Sequence, residues 1–163
     1  MINNLLPNID EYSNNRTAIV GIGNTINGDD GIGPFLISRL KGRTQARLFD
    51  CQEVPENYIQ PIIRFNPETI IIVDASDWGG SAGELRLIKY EDIGDSGFST
   101  HNVSLKFFWD FLKTEIPLVN IVFIGVQIGQ KTLMCPLSPG VEAALNKLVD
   151  FFRGRHTINH REF

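Results

Sequence analysis

Three side chains suited to metal chemistry, Asp30, Asp74 and His101, lie beside the apolar runs of this sequence. Asp30 lies in a glycine-rich segment, residues 21–33, and Asp74 comes at the end of the run 69–75. An isolated carboxylate at the border of a core is costly unless it is paired or bound to a metal. Two carboxylates and one imidazole form a mixed oxygen and nitrogen ligand set that suits Zn, Ni, Mn or Fe. The residue types therefore indicate an exchangeable or catalytic metal site.

The elements that position these side chains can be predicted from hydrophobic periodicity. Apolar and alternating runs predict strands at residues 17–23, 46–49, 69–75, 84–88 and 120–126. Helical spacing of apolar residues predicts helices near residues 32–40, 56–65, 104–112 and 139–152. Alternating strands and helices favour a mostly parallel sheet covered by helices on both faces. In such folds functional sites lie at the carboxyl ends of the strands, and these three residues are expected there together.

The acidic pair Asp29 and Asp30 also has a structural interpretation. Both residues precede a predicted helix, where a carboxylate caps free amides and complements the helix dipole. We expect Asp29 to be that cap, which contributes about 1 kcal/mol. A phosphate-binding loop fits poorly, because a dinucleotide fingerprint that starts at Gly21 would need glycine where Ile26 stands. Asp74 could likewise cap a turn, and His101 could be an ordinary residue at a helix start.

Composition and charge exclude several classes of protein. Lys and Arg total 15 against 19 Asp and Glu, so the net charge of −4 gives no attraction to nucleic acid or anionic lipid. The cysteines, Cys51 and Cys135, form no CxxC pair, which excludes a disulfide framework. No sequence feature places a base beside Cys51, so we expect it to be a semi-buried spectator. The start of the chain resembles no signal peptide, and we expect a soluble cytoplasmic monomer.

Several short motifs together resemble those of the nickel–iron hydrogenase maturation endopeptidase family. These are Gly21-Ile-Gly-Asn24, Gly28-Asp-Asp-Gly-Ile-Gly33, Ile-Ile-Val-Asp-Ala75 and Ser-Thr-His-Asn102, supported by Val54-Pro-Glu-Asn57, Ile124-Gly-Val-Gln127 and Leu137-Ser-Pro139. The resemblance implies a three-layer α/β domain with a twisted, mostly parallel sheet of about five strands and one antiparallel edge strand. We expect residues 1–163 to form one such domain, with an N-terminal extension at 1–16 and a flexible tail at 154–163.

The resemblance also implies an activity and a role for each site residue. Members of this family remove a C-terminal extension from the hydrogenase large-subunit precursor after nickel insertion. Asp30, Asp74 and His101 match the residues that contact the metal, and Asp50 matches an acidic residue considered for a catalytic role. We therefore assign Asp30, Asp50 and Asp74 as catalytic. The nickel is expected to come with the substrate, and Zn or Cd to bind as surrogates in the purified protein.

Two alternatives remain open at this point. The same scaffold could carry a non-catalytic metal- or nucleotide-binding module, since fold does not determine function. It could also be a metallopeptidase with its own resident zinc.

One departure from the family pattern is the stretch Cys51-Gln-Glu-Val54, which is bulkier and more charged than the small residues that relatives carry before Pro-Glu-Asn.

Overall fold

The computed structural model describes residues 2–5, 14, 16–94 and 102–153. The strands are β1 (Thr17–Ile22), β2 (Arg47–Gln52), β3 (Thr69–Ser76), β4 (Leu85–Ile88) and β5 (Asn120–Gln127). The α-helices are α1 (Ile2–Leu5), α2 (Ile32–Leu40), α3 (Ile59–Phe65), α4 (Asn102–Glu115) and α5 (Pro139–Phe152). Short 3-10 turns occur at Gly28–Gly31, Pro55–Tyr58 and Tyr90–Asp92.

The strands form one mixed sheet in the order β2-β1-β3-β5-β4. Strand β1 pairs in parallel with β2 and β3, and β3 pairs in parallel with β5. Strand β4 pairs antiparallel with β5 at the edge of the sheet. The predicted α/β class, the five strands and the single antiparallel edge strand are thereby confirmed.

Each face of the sheet carries its own hydrophobic core because side chains alternate along every strand. Ile71 and Val73 of β3 face the core that contains α2 and α5. Ile70 and Ile72 face the opposite core, which contains α3 and α4. The central strands are apolar throughout because both of their faces are covered.

The structure differs from the predicted elements mainly at their ends. Strand β2 continues to Gln52, so Asp50 lies inside the strand rather than at its end. The helix predicted at 56–65 begins with the 3-10 turn Pro55–Tyr58. Helix α4 extends in both directions beyond its apolar stripe, because polar residues continue the helix where nothing breaks it.

Part of the predicted N-terminal extension, residues 1–16, packs against the rest of the domain. Helix α1 contacts both α5 and β4, and its Ile2 and Leu5 pack against the core beneath α5. The predicted tail at 154–163 lies outside the described residues.

In the part of the chain that the structure describes, no helix has the length and apolar character to cross a bilayer.

Candidate active site

Asp74 lies at the carboxyl edge of the central strand. It follows Val73, the partner of Gly21 on β1, and it is itself paired with Gly125 on β5. Its side chain is fully buried. The alternation of β3 places it on the face of Ile70 and Ile72, toward α3 and α4.

Asp30 reaches the same edge through the glycine-rich segment. A Cβ on Gly23 would lie 1.8 Å from the carbonyl oxygen of Asp30, and a Cβ on Gly33 would lie 2.3 Å from that of Ile22. Glycine is required at both positions because only backbone fits there, and Gly23 also has a φ of +138°. The segment therefore folds tightly over the end of β1, and its 3-10 turn Gly28–Gly31 packs against β3.

The Asp30 carboxylate is 2% exposed, yet it has few hydrogen bonds. Its Oδ2 atom accepts one bond, from the backbone N–H of Asn24 at 3.2 Å. Its Oδ1 atom accepts none from the described residues, and the Nζ atom of Lys131 lies 3.5 Å away. A buried carboxylate oxygen without a hydrogen bond is unusual, and a cation is the partner that would satisfy it.

Asp29 does not cap a helix, and that prediction was wrong. The N-cap residue of α2 is Gly31. The buried carboxylate of Asp29 instead accepts hydrogen bonds from the N–H groups of Gly129, Gln130 and Ser138 at 2.7, 2.8 and 2.6 Å. It accepts a further one from the Ser138 hydroxyl at 2.7 Å. These donors lie 100 to 109 residues away in sequence, so local spacing could not reveal them.

Asp50 lies on β2 opposite Gly21, at the same end of the sheet as Asp74. Its neighbours Phe49 and Cys51 both pack in the core of α3 and α4, so the alternation of β2 directs Asp50 to the other face. The carboxylate is half-buried and accepts a hydrogen bond from the Gln52 side chain at 2.8 Å. Strand pleating therefore separates Asp50 from Asp74, whereas Asp30 and Asp74 lie at adjacent strand ends.

His101 lies outside the described residues, directly before the first residue of α4. The predicted ligand set is therefore represented in the structure by Asp30 and Asp74. Within the described ranges, no three His, Cys, Asp or Glu side chains lie close enough together to hold a metal ion. The assignment of His101 stays a prediction.

Three polar residues near this edge were not found from the sequence. Gln127, at the end of β5, donates to the Asp77 carboxylate at 2.9 Å and accepts from the Trp78 N–H at 2.9 Å, which fixes the loop after β3. The hydrogen bonds from Gln127 and Gly79 lower the pKa of Asp77, and the nearby ammonium of Lys131 lowers it further. The position of Asp77, three residues after Asp74, is the sequence feature that could have identified it. Lys131 lies in a polar loop, and no sequence feature indicates that it is near the site.

Cys51 is fully buried, whereas a semi-buried side chain was expected from the sequence. Burial raises the pKa of its thiol, and the negative charges of Asp50 and Glu56 raise it further. The reactive thiolate is therefore disfavoured. Glu56 lies in the 3-10 turn that packs on α4, and its Oε2 atom is buried without a hydrogen bond from any described residue.

The arrangement is suited to holding a cation rather than to nucleophilic attack by a side chain. Asp30 and Asp74 supply buried oxygen atoms, which become strong ligands when a metal replaces the missing solvation. The buried thiol of Cys51 cannot act as a nucleophile in its protonated form. Peptide-bond hydrolysis at this edge would then depend on activated water rather than on a covalent intermediate.

Comparison with known proteins identifies the family. A sequence model described as hydrogenase maturation protease matches residues 35–153. The Hydrogenase 3 maturation protease of Escherichia coli K12 is 31% identical over 136 residues, which cover 82% of this chain and 86% of the relative.

Solved structures show the same fold. The [NiFe] hydrogenase maturation protease HycI from Thermococcus kodakarensis superposes with a TM-score of 0.78 at 30% identity, covering 89% of this chain and 95% of that one. The endopeptidase HycI from Escherichia coli gives 0.74 at 30% identity, with 82% and 86% coverage. By sequence and by structure, the chain belongs to the hydrogenase maturation protease family and is a peptide-bond hydrolase.

Proposed function

We propose that this protein removes the C-terminal extension of a nickel–iron hydrogenase large-subunit precursor and uses the nickel carried by that precursor as its recognition element. Asp30, Asp74 and His101 would contact the metal. The reaction would take place in the cytoplasm, with the protease acting as a monomer.

The observation that carries this proposal is the environment of the Asp30 carboxylate. Its carboxylate is buried, its Oδ1 atom accepts no hydrogen bond from the described residues, and its neighbour in space is an ammonium group. A buried carboxylate paired with an ammonium is generally no more stabilising than well-packed apolar residues of similar volume, so the pair indicates a role for Asp30 beyond stability. A cation supplied by the substrate would complete the coordination of this oxygen.

A metal carried by the substrate requires weaker binding by the protein's own ligands than a resident metal does. A resident zinc is normally held by three protein ligands in a fixed geometry. A metal already held by the precursor needs only weak additional contacts, and two carboxylates with one imidazole supply them. A precursor without metal would lack those contacts and would be held too loosely for cleavage.

Hydrolysis requires a group that accepts a proton from the attacking water and returns it to the leaving amine. Asp29 is excluded from that role because four hydrogen bonds occupy its oxygen atoms. Asp50 is half-buried and keeps free acceptor capacity, but the pleat of β2 separates it from Asp74, so its catalytic role stays a prediction from the family resemblance. A metal contact at the scissile carbonyl would stabilise the charge that develops there.

Exposed apolar side chains flank this edge and favour a polypeptide substrate. Ile26 is 53% exposed, and Met134 is 81% exposed beside it, with the Met134 N–H donating to the Ile26 carbonyl at 2.7 Å. Leu133, also exposed, adds to the patch. Contiguous exposed apolar surface is typical of protein contact sites. We propose that the precursor contacts this patch.

The decisive experiment is cleavage of purified precursor, monitored by mass spectrometry of the released peptide. We expect cleavage of nickel-loaded precursor and none of nickel-free precursor. Asp74→Asn and His101→Ala should abolish cleavage, because each removes a metal contact and leaves the protease folded. Asp150→Asn, the same change on the exposed face of α5, is the matched control and should cleave like the wild type.

Each part of the proposal can fail separately. Equal cleavage of the loaded and empty precursors would contradict recognition through nickel. Near wild-type cleavage by Asp74→Asn would remove Asp74 from the site. A tightly bound stoichiometric zinc in the purified protein would favour the resident-metal alternative.

A further inference from the structure

The side chain of Lys131 lies where a metal would be expected to bind. Its Nζ atom is 3.5 Å from Oδ1 of Asp30, the oxygen that accepts no hydrogen bond from the described residues. The lysine side chain is 29% exposed, whereas that of Asp30 is 2% exposed. The carboxylate is therefore fixed in the protein, and the ammonium has a path to solvent.

The backbone before Lys131 is held by the residue next to Asp30. Gly129 and Gln130 donate their N–H groups to the carboxylate of Asp29, and the Asp29 N–H donates to the carbonyl of Gln130 at 3.2 Å. Three hydrogen bonds thus fix the start of the lysine's loop against the glycine-rich segment. The backbone that leads into Lys131 is therefore fixed close to Asp30, while the lysine side chain itself stays free to rotate.

A divalent cation and an ammonium cannot share one carboxylate oxygen without strong repulsion, since two like charges a few ångströms apart destabilise each other. The ammonium also lowers the pKa of Asp77, whose exposed carboxylate therefore lies within electrostatic range of it. A partly exposed side chain with four rotatable bonds can move away from Asp30 into solvent without movement of the backbone.

We propose that Lys131 is an internal competitor of the metal: its ammonium occupies the cation position at Asp30 and must move aside before a divalent metal binds there. The lysine neutralises the buried carboxylate while no metal is present. It also keeps the intrinsic metal affinity low, so that free ions bind weakly and a metal presented by a bound precursor binds well. This inference rests on the proposed function for the source of the metal.

The first test is titration of Co²⁺ into the purified protein without precursor, followed by calorimetry. Lys131→Gln removes the competing charge, and we expect its affinity for Co²⁺ to rise about tenfold. Lys131→Arg keeps a cation at the site and should stay near the wild type. Lys147→Gln makes the same change in net charge at an exposed position in the middle of α5 and should change the affinity by less than about twofold.

A double-mutant cycle tests whether the effect acts through Asp30. In an Asp30→Asn background, which removes the shared carboxylate charge, Lys131→Gln should no longer raise the affinity. A Co²⁺ affinity of Lys131→Gln that equals that of Lys147→Gln, or falls below that of the wild type, would overturn the inference.

Lysine labelling tests the same movement in the wild-type protein, so the result does not depend on a variant folding. We expect saturating Co²⁺ to increase acetylation of Lys131, measured by mass spectrometry, because the displaced ammonium becomes exposed. Acetylation of Lys147 should not change. Unchanged labelling of Lys131 would contradict displacement. Both measurements omit the precursor, so a failure of precursor cleavage would overturn the proposed function and leave this inference intact.

Discussion

Adjacent carboxylates in the glycine-rich segment have opposite environments. Asp29 accepts four hydrogen bonds from residues of the loop before α5, whereas Asp30 accepts one and faces an ammonium. Asp29 therefore holds two loops together, and Asp30 is left with an oxygen available to a ligand. The sequence presents these residues as an equivalent pair, and only the long-range donors distinguish them.

Replacement of Asp29 should affect mainly the stability of the fold, whereas replacement of Asp30 should affect stability much less. We expect Asp29→Ala to lower the free energy of unfolding by about 3 kcal/mol or more, since it leaves several buried donors without an acceptor. Asp30→Ala should cost less than about 1.5 kcal/mol, because the partner Lys131 can reach solvent. Urea denaturation measures both changes. A smaller loss for Asp29→Ala than for Asp30→Ala would contradict this division of roles.

The buried thiol of Cys51 predicts a pH dependence of stability. Its raised pKa keeps it protonated in the folded protein at pH values where it ionises in the unfolded chain. The resulting stability is complete below the unfolded-state pKa of 9.0 and is lost as the pH rises through the folded-state value. Above pH 9.0 the free energy of unfolding should fall by about 1.4 kcal/mol per pH unit from this group.

Two cysteine variants isolate that contribution. In Cys51→Ala, urea denaturation at increasing pH above 9.0 should show a shallower fall in stability than in the wild type. Cys135→Ala, which removes a partly exposed thiol, should keep the wild-type slope. Identical slopes in all three proteins would show that Cys51 ionises without cost in the folded state.

Close backbone approach is the feature that positions the site at the level of elements. Gly21, Gly23 and Gly33 let the start of α2 and the preceding turn lie directly on β1. A glycine-rich run at a strand end was visible in the sequence and correctly placed Asp30 at this edge. Which glycine contacts which backbone segment depends on tertiary packing, so the sequence did not reveal it.

Substitution of one of these glycines should displace Asp30. We expect Gly23→Ala to lower stability by more than about 3 kcal/mol and to weaken Co²⁺ binding, because its Cβ would overlap the Asp30 carbonyl. Gly42→Ala is the matched control, since Gly42 also has a positive φ, of +73°, but has no atom within 4 Å of an added Cβ. That variant should lose only about 1–2 kcal/mol and bind Co²⁺ normally. Equal stability losses would show that the close approach does not matter.

The elements themselves were largely predictable, and their ends were not. Apolar runs gave β1, β3 and β5 almost to the residue because both faces of those strands are buried. Strand β2 was predicted too short, since its polar residues Asp50 and Gln52 continue the pairing with β1 beyond the apolar stretch. Asp50 therefore lies within β2 instead of after its end, and the pleat of the strand determines which face of the sheet it occupies.

At the scale of the whole molecule, the central strand β3 belongs to both hydrophobic cores. Ile71 contributes to the core of α2 and α5, and Ile72 contributes to the core of α3 and α4. Both side chains are fully buried. The two cores are therefore coupled through the strands that they share, and we expect the protein to unfold in a single cooperative transition.

Truncation of either isoleucine tests that coupling. Ile71→Ala and Ile72→Ala should each lower the free energy of unfolding by about 2–5 kcal/mol, because each leaves a cavity on its own side of the sheet. In both variants the urea transitions followed by tryptophan fluorescence and by far-ultraviolet circular dichroism should coincide. Separate transitions in either variant would show that the two cores unfold independently.

The hydrogen bonds of Asp29 have a further consequence during biosynthesis. Their donors, Gly129, Gln130 and Ser138, are translated 100 to 109 residues after the carboxylate that binds them. A nascent chain that ends before these residues has its glycine-rich segment unanchored, and Lys131 is absent from it. The anchored form of the glycine-rich segment is therefore expected only after most of the polypeptide has left the ribosome.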